Sequence, residues 1–164
     1  MTIRFDKADK NITLQNRVLL KNFLEKQIKK QGLVIEHLQY VFCSDKYLLQ
    51  INNDFLQHDY YTDIISFDLS ETSGKLIGEI YISVDRVKDN AQTHKSTIKE
   101  ELLRVIFHGA LHFCGYKDKK PSDIKIMRQM EDKWIASYQK SLNNKWFPGK
   151  QYKCSTWNVC KKNN

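Results

Sequence analysis

The chain has 164 residues, of which 41% are hydrophobic, 12% aromatic and 28% charged, with only six glycines and two prolines; this excludes bulk disorder and collagen-like or low-complexity architectures. The net charge of +8 is unevenly placed: residues 1–142 carry 22 Lys and Arg against 19 Asp and Glu, whereas residues 143–164 carry five Lys and no acid. A body so nearly balanced leaves a polyanionic partner open without pointing to one, and no apolar run approaches the roughly 18 residues of a membrane span.

The start, Met1 to Asp6, lacks the basic-then-apolar pattern of a secretory leader, so a cytoplasmic protein without a membrane partner is expected. Ile3 to Phe5 reads as a short strand. Leu14, Val18, Leu19, Phe23 and Ile28 recur near helical spacing over residues 14–31, and Gly32 is a stop signal. Leu38 to Cys43 predicts a strand, after which Ser44 or Asp45 caps a helix with Leu48, Leu49, Ile51 and Phe55 on its apolar face. A polar, aromatic loop over residues 57–62 leads to Asp63–Leu69, where Ile65, Phe67 and Leu69 alternate with polar residues. Leu76–Ser83 is its expected antiparallel partner across a longish turn containing Gly74.

Helical pattern returns at Val84–His94. Thr97 and Glu100 then form a capping-box pair for a helix over Ile98–Cys114, the most apolar stretch of the chain and expected to be central and buried. A last helix is expected from Ser122 or Asp123 to about Leu142, with Ile126, Met130 and Trp134 on one face. The order β-α-β-α-β-β-α-α-α predicts an α+β domain over residues 1–142, with a small mixed four-stranded sheet and about five helices. Residues 143–164 are expected to be a basic, flexible appendage. Cys43, Cys114, Cys154 and Cys160 read as incidental thiols, because the Cys154–Cys160 spacing has no histidine to complete a zinc knuckle.

The chemistry concentrates in the buried helix. His108 and His112, four residues apart, put both imidazoles on one face, where they can share a metal ion or serve as hydrogen-bonded core residues. The sequence continues as H-x-x-x-H-x-x-G-x-x-D. Gly115 can take the left-handed conformation that ends a helix and turns the chain, bringing Asp118 back towards the same point. Two imidazoles, a carboxylate and an open fourth position form the ligand pattern of a catalytic zinc site, although another divalent transition metal suits the same donors. A peptidase would need Glu directly after the first His; here that residue is Gly109, which moves no proton.

The segment His108-Gly109-x-Leu111-His112-x-x-Gly115-Tyr116 resembles the H-G-x-L-H-x-x-G-Y-D-H signature of the YbeY family, zinc-dependent endoribonucleases of ribosomal RNA maturation. Asn52–Phe67 and Gly78–Ser83 resemble two further blocks of that family, in order, and the resemblance spans roughly residues 1–140. It implies hydrolysis of single-stranded RNA, one Zn²⁺ per chain held by His108, His112 and Asp118, and ribosomal RNA, pre-ribosomal particles and a ribosomal protein as partners. Three positions depart from the pattern, one of them Lys117, which replaces the acid before the third ligand. Asp118 stands where the third ligand is usually His, and Leu56 stands where the family carries an Arg thought to hold a phosphate. His58, Lys117 and Lys119 are therefore the candidate substrate contacts, and no residue is assigned as general acid or base. A ribosome-assembly factor with a structural metal, or a hydrolase of another substrate, is the alternative. Asp63 and Glu79 are weighed as carboxylates that could orient a histidine ring, with turn or solvent-facing roles favoured.

Overall fold

The computed structural model describes residues 2–146. It contains β1 (Thr2–Lys7), α1 (Arg17–Lys30), β2 (Val34–Cys43), α2 (Asp45–Leu56), β3 (Ile64–Asp68), β4 (Lys75–Ser83), α3 (Val84–Thr93), α4 (Ile98–Phe113) and α5 (Pro121–Trp146). The expected α+β order is reproduced element by element. The sheet has the strand order β1-β2-β4-β3 and is mixed: β1 and β4 each run parallel to β2, and β3 pairs antiparallel with β4. The β3–β4 hairpin expected from the alternating pattern places Ile65 opposite Tyr81 and Phe67 opposite Glu79.

Helix α4 lies at the centre of the core, with nine of its sixteen residues buried. Its N-terminus is held by the expected capping box, in which the Thr97 hydroxyl accepts from the Glu100 amide and the Glu100 carboxylate accepts from the Thr97 amide. Phe107 from α4, Phe23 from α1 and Trp134 and Tyr138 from α5 form an aromatic cluster, their ring centroids 5.3–6.3 Å apart. Burial of such rings is the main source of stability at this helix junction.

Two glycines let α4 sit close to the sheet. A Cβ on Gly109 would lie 2.8 Å from Ile64 Cδ1 and 3.0 Å from Ile80 Cδ1, and one on Gly78 of β4 would lie 2.6 Å from the Phe113 ring. Gly109 thus serves packing, which accounts for a glycine immediately after the first histidine.

Several boundaries differ from expectation. Helix α1 starts at Arg17 rather than residue 14, because Asn16 turns left-handed at φ 53° and Leu14 buries itself in the core from the preceding coil. Val18 is consequently exposed. Strand β2 begins at Val34, four residues before the expected Leu38. Phe55, Leu69 and Ile126, assigned to apolar faces, are exposed, whereas Trp134 is buried as expected. Helix α5 continues to Trp146, past the expected end near Leu142; the rest of the basic tail, including Cys154 and Cys160, lies outside the described residues.

Candidate metal centre

The end of α4 is built as a Schellman turn. Gly115, at φ 89°, donates its amide to the His112 carbonyl at 2.9 Å, and Tyr116 donates to the Leu111 carbonyl at 3.1 Å. The turn brings the Tyr116 carbonyl back over the helix, where it accepts from His112 Nδ1 at 3.0 Å. It also carries Asp118 to the face shared by the two histidines. His108 and His112 Nε2 are 2.9 Å apart, and Asp118 Oδ2 lies 3.4 Å from the first and 3.5 Å from the second.

The partners on the other side of each ring decide what this triangle can hold. A carbonyl oxygen only accepts, so His112 must carry its proton on Nδ1. His108 Nδ1 is 2.7 Å from Glu131 Oε1, an ionised acceptor that puts the proton there as well. Both Nε2 atoms are then bare lone pairs, facing each other and a carboxylate oxygen. Three such acceptors repel unless a cation or proton sits among them. Tetrahedral zinc with bonds of about 2.0–2.1 Å sets its ligand atoms about 3.3 Å apart, close to the 2.9–3.5 Å measured here. The donor set therefore fits a divalent transition metal. Burial lowers the pKa of the His112 imidazole, and any proton added to neighbouring His108 would lower it further, which favours the neutral ring that a metal requires.

Glu131, on α5, is 1% exposed and accepts from three side chains: His108, Arg104 Nη1 at 2.9 Å and Arg128 Nη1 at 3.1 Å. Burial alone would raise its carboxyl pKa, but these donors outweigh burial and hold it below the usual value. Arg104 is tied in turn to Asp132 at 2.9 Å. The residue forms with His108 a carboxylate–histidine pair of the kind that orients a metal ligand, and sequence reasoning missed it. Its signal was a lone acid at residue 131 within the stripe Met127, Trp134 and Tyr138, all three buried; a charge in such a stripe requires a buried partner. Asp63 and Glu79 touch neither ring: Asp63 accepts from the Asn90 amide and Glu79 from the Tyr81 hydroxyl.

The donor triangle lines a cleft of 610 Å³, whose lining also includes Leu56, His58, Tyr60, Phe113 and Lys119. His58 and Lys119, two of the expected substrate contacts, thus come together with the donors, whereas Lys117 lines a separate recess with Gly115 and Asp123. Leu56 contributes an apolar side chain to the cleft. Cys114 is not among the converging donors, and burial pushes its thiol up to about 12.

Fold and site together define the class: a small α+β domain in which three donors able to hold a metal ion converge in the lining of an open cleft. The particular family is also settled. The sequence profile of the family described as Endoribonuclease YbeY matches residues 2–139, and this chain belongs to that family. Among curated relatives, the Endoribonuclease YbeY of Cytophaga hutchinsonii is 54% identical over 131 residues, covering 80% of this chain and 92% of the relative. That of Christiangramia forsetii is 41% identical over 131 residues, covering 80% and 91%. A Thermotoga maritima protein solved in solution superposes with a TM-score of 0.57 at 26% identity, covering 92% of this chain and all of that one. No helix among the described residues is long and apolar enough to cross a membrane.

Proposed function

We infer that this protein is a metal-dependent endoribonuclease that cuts single-stranded RNA during ribosomal RNA maturation and ribosome quality control in the cytoplasm, acting on pre-ribosomal particles. The observation that carries the reading is the convergence of three lone pairs from His108, His112 and Asp118 in an open cleft, both histidine tautomers being locked from behind. These residues would hold one divalent ion, Zn²⁺ first, which supplies Lewis acidity for phosphodiester hydrolysis when bound.

The chain's own residues do the remaining work. Glu131 and the Tyr116 carbonyl keep the protons of His108 and His112 on Nδ1, so that neither ring can donate into the cleft. Asp118, 41% exposed, supplies the negative charge that distinguishes this set from three neutral imidazoles. Lys119 and His58 line the same cleft and are positioned for the RNA strand, whereas Lys117 lines a separate recess. Peptide hydrolysis is disfavoured because the glutamate nearest the centre, Glu131, sits behind His108 and is engaged by two arginines.

The test is chelator-sensitive cleavage of single-stranded ribosomal RNA by stringently purified protein, together with elemental analysis. His108→Ala and Asp118→Ala should each lower metal stoichiometry and abolish cleavage. Full metal retention by both variants would refute the ligand assignment. Salt-sensitive RNA binding without metal-dependent cleavage would favour an assembly factor.

A further inference from the structure

The wall facing the metal centre carries a preorganised aromatic ring. Tyr60 is stacked on His58, with centroids 5.1 Å apart and an interplanar angle of 24°, and its hydroxyl lies 3.1 Å from His58 Nδ1. Its carbonyl accepts at 2.9 Å from the side-chain amide of Asn52, itself buried. The residue is thus pinned through backbone, hydroxyl and ring, yet 57% exposed. Ordering a large ring costs conformational entropy that burial would normally offset. Here the exposed face is held ready in a cleft shared with His108, His112 and Asp118.

Charge argues for what the face receives. With a divalent ion held by His108, His112 and Asp118, the carboxylates of Asp63, Asp68 and Asp118 just balance the ion and the one lysine, Lys119, so the cleft lining carries no net positive charge. Phosphate contacts alone therefore bind a strand poorly, and a sequence-tolerant contact to the bases is needed. Stacking on an aromatic ring is such a contact, and only an unpaired base can make it.

We propose that Tyr60, backed by His58, is a nucleobase-stacking subsite that holds one base of a single-stranded RNA beside the metal centre. The proposal rests on the endoribonuclease reading and deepens it by assigning the preference for single strands. Binding of labelled 2′-O-methyl oligoribonucleotides, which keep bases and phosphates while resisting cleavage, is measured by fluorescence anisotropy on the metal-loaded full chain. Tyr60→Ala should weaken binding roughly 5- to 150-fold, and Tyr60→Phe, which keeps the ring and loses only the hydroxyl contact to His58, should lose clearly less. Removing one base at a time should locate a position where the abasic strand binds wild type as weakly as Tyr60→Ala binds the intact strand, with no further loss on combining the two. Equal binding by wild type and Tyr60→Ala, or an equal loss in Tyr60→Phe, overturns the subsite alone. Absence of RNA binding by wild type overturns the endoribonuclease reading and the subsite with it.

Discussion

Replacing Glu131 by Gln separates what this side chain does for the fold from what it does for the metal centre. The volume is preserved and the charge is lost. An amide has one acceptor oxygen where the carboxylate uses two, Oε1 for His108 and Oε2 for both Arg104 and Arg128. Its NH₂ must then face either the His108 Nδ1–H or a guanidinium, donor against donor. Breaking a buried pair costs about 3–5 kcal/mol. Arg104 keeps its bond to Asp132 and Arg128 is half in solvent, so about 2–3 kcal/mol is expected here. The metal should suffer separately, because a His108 ring free to change tautomer loses its fixed lone pair. Loss of such an orienting partner typically lowers metal affinity 10- to 100-fold, about 1.4–2.8 kcal/mol. Denaturant unfolding of the metal-free variant reads the first quantity; competition with a chromophoric chelator reads the second. ¹⁵N spectra of the imidazoles report the tautomer directly. Metal affinity within twofold of wild type, with His108 still protonated on Nδ1, would refute the positioning role.

Gly109→Ala should destabilise the fold by about 1–3 kcal/mol, read as a lower denaturation midpoint at an unchanged denaturant slope, since its Cβ meets Ile64 and Ile80 at 2.8–3.0 Å. Gly115→Ala places an L-residue at φ 89° and should cost about 1–2 kcal/mol by the same assay; it should also weaken metal binding, because the turn carries both the Tyr116 carbonyl and Asp118. At the N-terminus of α4, hydrogen bonds from the Thr97 amide and hydroxyl hold the Glu100 carboxyl below its usual pKa. Its contribution is therefore complete above the unfolded value of about 4.3 and is lost as pH falls through the lower folded value. Glu100→Gln should flatten that part of the stability–pH curve, as followed by denaturation at pH 3 to 6.

The donor set was legible because it is local. His108, His112 and Asp118 lie within eleven residues, and a helix period plus one helix-ending glycine brings them together. The capping box and the β3–β4 hairpin were readable for the same reason: each is written within a short window of chain. Glu131 was not, because its partner His108 lies 23 residues away on another helix and only packing reveals the contact. The start of α1 was misplaced since Leu14 reaches the core from coil, mimicking an apolar helix position. Phe55 misled in the opposite sense. It sits at a helical apolar position yet stays largely in solvent, touching Phe67 edge-on with centroids 5.7 Å apart.

The three donors are not equally free to move. His108 and His112 belong to a helix anchored in the aromatic cluster, whereas Asp118 belongs to the connection between Phe113 and Pro121. Opening the triangle thus requires only displacement of a few backbone torsions after Tyr116, with no disturbance of the helix or its terminal turn. Ion exchange should proceed through that hinge on a timescale far shorter than global unfolding, and amide hydrogens of residues 117–119 should exchange long before those of residues 105–111.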